Sequence, residues 1–441
     1  MGQFKSIILI AVIGLVVLFS GCAGKQGGMP TPTPITTATP TVTAIPTVSA
    51  TPIATATTPI QSSSANVSIT NSINDFALKT YSVLNNESGN LFFSPFSVHT
   101  ALSMTAEGAG GKTLEEMRDV LELSNDSSAN RQGFEKLLNS LNEKNAGYNL
   151  SIANAIWIEK TFSVKREFSS ALSTYYYALA QQADFTKNPD GERTNINGWV
   201  AGKTNNKILD LIPQGGLDSY TRLVIVDAIY FKGNWAQQFN KSDTQNATFF
   251  ISQSKNVSVP MMHLSKSENA SYYSENELKA LEMDYQGDNL SMLILLPNPN
   301  HSLSEVEAGL SSNKISDIRA QLVHQPVQVW LPKFSMTKSK EMGDLLKGLG
   351  MKSAFDPQVA DFSGINSTEG LYISDVFHKA FINVNETGTE AAAATAVVVG
   401  ITAIEIPPEF RADHPFLFFI MDKHTGTILF MGRFADPTSG N

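Results

Sequence analysis

One cysteine, Cys22, occurs in the 441 residues. That excludes an intrachain disulfide and any zinc site built on cysteines. The seven histidines never stand in a His-x-x-x-His pair, so no metal site and no cofactor is expected. No Gly-x-Ser-x-Gly elbow is present, which removes a common hydrolase anchor. Acidic residues are absent before Asp75, and only Lys5 and Lys25 are basic there. The rest therefore holds 32 − 2 = 30 basic residues against 41 acidic ones, a net charge of −11. Nucleic acid is a poor partner for that balance, because such binding rests on phosphate neutralisation.

What is present at the N-terminus reads as an export signal. Lys5 supplies the positive start, and residues 7–19 are apolar apart from Gly14. The run is shorter than the roughly 20 residues of a membrane span and suits a signal core. "LFSGC" then sets small residues directly before Cys22 and resembles a bacterial or archaeal lipobox. Residues 1–21 are thus expected to be a lipoprotein-type signal peptide, with Cys22 as the lipidation site. Residues 22–65 are rich in Thr and Pro and contain no acidic or aromatic residue. Such a segment cannot bury a core and reads as a spacer. Globular patterning fills 66–441 without another linker.

Within that part, "SINDFALKTYSVL" carries a helical apolar stripe. "SPFSVHTALSMTAEGA" begins a second helix, with Ser94 as cap and Pro95 at the first position. "SIANAIWIEK", "LVIVDAIYFKG", "MLILLP" and "VQVWLPKFSM" read as strands, being rich in β-branched and aromatic residues. "PFLFFIMDKHTGTILFMGRF" reads as a hairpin. Helices early and strands late, without βαβ alternation, indicate an α+β fold.

"AEGAGGKT", residues 106–113, matches a loose phosphate-loop pattern with Lys112 on the outer phosphate. Such a loop must follow a strand, whereas residues 98–106 read as a helix. A Gly-rich bend between helices is the expected structure. His378 lies in "DVFHKAFINV", where a buried, hydrogen-bonded histidine is the expected role rather than a general base.

The segment 385–410, "NETGTEAAAATAVVVGITAIEIPPEF", has conflicting preferences. Its alanines favour helix and its Val-Val-Val-Gly-Ile favours strand. It has no charge between Glu390 and Glu405, and no helical apolar stripe.

Several blocks together carry a family resemblance. "NLFFSPFSVHTALSMTAEGAGGKTLEEM", "TNINGWVAGKTNNKILDLIP", "VDAIYFKGNW", "LPKFSM", "VFHKAFINVNETGTEAAAATA" and "ADHPFLFFIMDKHTGTILFMGRFADP" resemble serpin blocks in serpin order. The resemblance runs from about Ile73 to Pro437. It implies three β-sheets, eight or nine helices, an exposed reactive loop and no enzyme activity of its own. It also implies suicide inhibition of a serine, sometimes a cysteine, protease by a monomer whose cleaved loop enters a sheet.

The resemblance assigns the loop residue by residue. Glu386 resembles the glutamate at the base of the hinge, with Lys333 as its salt-bridge partner. Gly388, Thr389, Glu390, Ala391, Ala392, Ala393 and Ala394 form the hinge. In an extended strand, Thr389, Ala391, Ala393, Thr395, Val397, Val399 and Ile401 share one face, which carries no charge. That face can enter a sheet without burying an ion, whose desolvation would be costly. Trp235 resembles the tryptophan where insertion begins. Ser94, Ser97 and His378 resemble a polar cluster under the sheet opening. Asp227 departs from the usual asparagine, and a charged pair with His378 that responds to pH is expected.

Counting from Glu386 puts the reactive bond between Thr402 and Ala403. Counting back from Ile406 puts it between Ile404 and Glu405. No Lys or Arg lies between Gly388 and Glu409, which disfavours a trypsin-like target, whose buried pocket carboxylate would stay unpaired. An elastase-like or subtilisin-like partner at a prokaryotic cell surface is expected. A non-inhibitory serpin, acting as a binding module, is the rival reading.

Overall fold

The structure, a computed structural model, describes residues 64–142, 147–268, 270–389 and 407–439. The signal, residues 22–63 of the spacer with Cys22, and the loop residues from Glu390 through Thr402, Ala403, Ile404 and Glu405 lie outside them; Ser64 and Ala65, expected to end the spacer, already belong to the first helix. The described residues contain nine α-helices and three β-sheets, the α+β serpin-type layout expected from the sequence.

The helix Pro95–Ala106 is buried on every side. Ser94 caps it by accepting a hydrogen bond from the Ser97 N–H, and Pro95 occupies the first turn, where its missing N–H is harmless. Its polar side chains, Ser97, His99, Thr100, Ser103 and Thr105, are all hydrogen-bonded, so the helix can stand in the middle of a core. It packs against the strands Tyr148–Glu159, Leu223–Asn234 and Ile428–Phe434, between two sheets. The long first helix, Ser64–Leu84, buries Ile69, Ile73, Phe76, Ala77, Tyr81 and Leu84. All but Ile69 are the residues of the apolar stripe, now facing the core.

A seven-stranded sheet has the hairpin Phe416–Asp422/Ile428–Phe434 within it, antiparallel as read from the sequence. A four-stranded sheet runs in the order Glu409–Arg411, Val327–Pro332, Asn256–Ser267, Gln245–Phe250. A six-stranded sheet runs Phe334–Glu341, Ile373–Asn385, Gly388–Thr389, Leu223–Asn234, Tyr148–Glu159, Ala180–Ala183. The "VQVWLPKFSM" block is not one strand. It divides at Lys333 into Val327–Pro332 of the four-stranded sheet and the start of Phe334–Glu341 of the six-stranded one. Lys333 is the corner residue, its N–H donating to the Pro260 carbonyl.

The glycine-rich bend of residues 107–110 joins the helices Pro95–Ala106 and Gly111–Leu121, so the strand that a phosphate loop requires is not there. An anion already fills the bend. The carboxylate of Asp361 lies where a Cβ on Gly110 would meet it at 2.6 Å. A phosphate would face this charge, and Lys112 points instead toward Glu116 at 3.5 Å.

Candidate functional site: a seam in the six-stranded sheet

The strands Leu223–Asn234 and Ile373–Asn385 run parallel. They pair directly from Ile373↔Leu223 up to Phe381↔Tyr230. Above that rung they part. Gly388 and Thr389 fill the gap, pairing with Asn385 and Val384 on one side and with Asn234 and Gly233 on the other. The chain from Asn385 to Thr389 therefore turns back into the sheet. Sequence reasoning treats the hinge as exposed until cleavage, but its first two residues are already strand. Thr389 and Gly388 are both buried.

Glycine is required at 388 on two counts. Its φ is +148°, in a region L side chains rarely adopt, and a Cβ there would lie 2.0 Å from the Gly233 carbonyl oxygen. Thr389 points inward, and its hydroxyl is 2.8 Å from that of Tyr285. Tyr285 in turn stacks on Trp235 at 4.6 Å between ring centroids. Trp235 is fully buried, and its indole N–H donates to the Asn385 carbonyl at 3.0 Å. The Trp235 backbone N–H donates to Thr387, and that of Phe239 to Glu386. The tryptophan is thus the floor on which the hinge turn rests.

Glu386 is buried at the base of that turn. Its Oε1 accepts from Lys333 Nζ at 3.0 Å and from the Thr244 hydroxyl at 2.9 Å. Burial alone would raise its pKa. Hydrogen bonds from its own backbone N–H, Lys333 and Thr244 outweigh that and hold the carboxyl below the ordinary glutamate value. A depressed carboxyl pKa stabilises the fold above the unfolded pKa, and that contribution is lost as pH falls through the folded one. The clamp is therefore intact at neutral pH and released only in acid.

Lower on the same seam lies a polar cluster. The rung from Val384 to His378 spans six residues, about 20 Å at the usual strand rise. His378 and Asp227 are register partners, with Nδ1 2.9 Å from Oδ1. The Ser94 backbone N–H lies 3.1 Å from Nε2. An amide N–H only donates, so Nε2 is the unprotonated acceptor and the proton sits on Nδ1, donated to Asp227. His378 thus bridges the Ser94 amide and Asp227, the partner expected from the sequence. The other carboxylate oxygen, Oδ2, is buried without a partner among the described residues. Ser94 Oγ donates to the Leu429 carbonyl and Ser97 Oγ to Asn154, which ties the buried helix to two sheets.

Two groups of candidates are therefore assembled on one seam. Glu386, Gly388, Thr389, Lys333 and Trp235 stand at its open end, and Ser94, Ser97, Asp227 and His378 at the middle of its closed part. Sequence reasoning missed Tyr285, Thr244 and Asn154. Asn154 had a signal, a polar side chain in the apolar run "ANAIWI". Tyr285 and Thr244 had none, since each lies next to a turn and reaches the hinge only through the fold.

A family model described as Serpin (serine protease inhibitor) matches residues 71–437. An uncharacterised serpin-like protein of Thermococcus kodakarensis is 41% identical over 441 residues, covering 99% of this chain and 100% of its own. Serpin B8 of Homo sapiens is 40% identical over 366 residues, covering 82% of this chain and 97% of its own. The solved structure of serpin 48 from the insect Tenebrio molitor superposes with a TM-score of 0.75 at 35% identity, covering 83% and 98% of the two chains. With a family model across most of the folded part and relatives at this identity along nearly their whole length, the chain belongs to the serpin (serine protease inhibitor) family.

Proposed function

We propose that this protein is a suicide-type inhibitor of serine endopeptidases. The observation that carries the reading is the seam, begun by Gly388 and Thr389 and continued in sequence by small uncharged residues on the inward face. The attacking protease's serine Oγ adds to the scissile carbonyl, after Thr402 or Ile404. The peptide bond breaks, the new amine begins at Ala403 or Glu405, and an ester joins the protease to the loop. The loop then continues down the seam from Thr389 and carries the protease with it before water reaches the ester. The inhibitor supplies no catalytic residue.

Incubation with an elastase-like or subtilisin-like protease is expected to give a denaturant-resistant band near the summed mass. The C-terminal peptide released on denaturing it should begin at Ala403 or Glu405. A peptide beginning at Ile406 would assign the target to glutamate-specific proteases instead. Cleavage of the loop by every protease tested, each remaining active, would favour the non-inhibitory reading.

We place the protein at a prokaryotic cell surface, held by lipid on Cys22 with residues 22–65 as spacer. The support is the sole cysteine at a lipobox-like position. Cys22→Ala is expected to release the protein from membranes or leave its precursor unprocessed. Unchanged membrane retention with normal processing would point to another anchor.

A further inference from the structure

From Asn66 onward, 60 of 376 residues are Ser or Thr, and the chain has 32 asparagines. At that composition about five asparagines would have a Ser or Thr two places on. Twelve do, none with an intervening proline: Asn66, Asn86, Asn125, Asn149, Asn240, Asn246, Asn256, Asn269, Asn289, Asn300, Asn366 and Asn385. The Asn-x-Ser/Thr triplet is the acceptor for N-linked glycan where it is exposed. The fold sorts these triplets. Asn366 is buried, and its amide donates to the Ser163 carbonyl, so it is unavailable.

Asn246 and Asn256 are the opposite case. They lie on the hairpin Gln245–Phe250/Asn256–Ser267, which forms one end of the four-stranded sheet. Residues two apart on a strand share a face. Asn246, Thr248 and Phe250 face outward and are exposed, opposite Pro260, Ser258 and Asn256, which are exposed too. Both acceptor triplets thus lie extended on one open face, their hydroxyls opposite each other at the Thr248·Ser258 rung. Neither asparagine amide hydrogen-bonds to another described residue.

The strand itself supplies a second, independent observation. Gln245–Phe250 has no strand partner on its outer side among the described residues. An exposed edge is normally blunted by charge, proline or a bulge. "QNATFF" has no charge and no proline, and Phe250 is 47% exposed. We propose that Asn246 and Asn256 are N-glycosylated and that the two glycans cover this edge. In the reaction the Asn Nδ2 attacks C1 of a lipid-phosphate-linked oligosaccharide. The C1–N bond forms, the C1–O bond to phosphate breaks, Nδ2 loses one proton, and the lipid phosphate leaves.

The proposal rests on the exported reading. Its test is a peptide map, by mass spectrometry, of the full chain expressed in an N-glycosylating prokaryotic host and recovered from the membrane and external fractions. Peptides holding Asn246 and Asn256 are expected to carry hexose-containing mass increments, while the Asn366 peptide carries none. Thr248→Ala should remove the increment at Asn246 and leave that at Asn256, and Thr248→Ser should keep both. Bare Asn246 and Asn256 in protein whose signal has been processed would overturn the proposal and leave the export reading standing. Bare peptides with an unprocessed signal would overturn both.

Discussion

Cleavage of the reactive loop by a protease that escapes trapping is expected to raise the unfolding midpoint by roughly 10–20 °C. Below the Phe381·Tyr230 rung the facing edges of the two seam strands are bonded directly to each other, with no strand between them. An inserted strand is bonded on both sides, so each residue that enters adds more ladder bonds than it breaks. A dozen residues give about ten extra bonds at about 1 kcal/mol each. The Val and Ala side chains of the inward face add burial, offset by the ordering of a free segment. The gain is on the order of 10 kcal/mol, and a folded part of this size unfolds with about 0.8 kcal/mol per kelvin of entropy at its midpoint. Calorimetry of intact and cleaved protein measures the difference. An unchanged or lower midpoint would show that the seam does not accept the loop.

The second large effect is expected from Thr389→Arg. Thr389 is fully buried, its hydroxyl is held by Tyr285, and the Tyr285–Trp235 stack closes the space beneath. A guanidinium there would be a charge buried against Tyr285 and Trp235, and such charges cost several kcal/mol. Because Thr389 already stands in the seam, a penalty of that size expels the Gly388–Thr389 strand, and its re-entry after cleavage is slowed by about 100-fold or more, at a factor of ten per 1.4 kcal/mol. Water then reaches the ester first. The variant is expected to be cut at the same bond and released, with at least tenfold more inhibitor consumed per protease inactivated. Thr389→Ser keeps the hydroxyl and should inhibit as the unaltered protein does. Equal inhibition by Thr389→Arg would show that loop entry does not depend on this side chain standing in the seam.

Much of this was legible in the sequence, and the parts that were not share a cause. The Phe416–Asp422/Ile428–Phe434 hairpin was readable because the turn chemistry and both apolar runs are local. The buried helix was readable because its cap, Ser94, and its first-turn proline are consecutive. The break at Lys333 was not, since both halves of "VQVWLPKFSM" have the same strand preference and only the rest of the fold decides which sheet each joins. The early entry of Gly388 and Thr389 was not readable either. It reflects contacts to Gly233, Asn234 and Tyr285, none adjacent in sequence. The hydrogen bond at His378 Nε2 comes from one distant amide, that of Ser94.

If the loop enters as proposed, the position of Asp227 and His378 along the seam turns a spatial arrangement into a clock. In the register set by Thr389 opposite Val384 and Gly233, residue 395 arrives opposite His378 and Asp227. Strands that are neighbours, about 4.8 Å apart, must then stand at twice that spacing. The 2.9 Å contact between the two side chains has to open at that step, about halfway down. Entry above it meets plain ladder bonds, and entry below it meets the same. A zipper with one stiff tooth has a single slow step, and that step adds nothing to the final stability. Substitutions at this pair would therefore reset how long a captured ester waits, while the depth of the final state stays with the residues of the ladder.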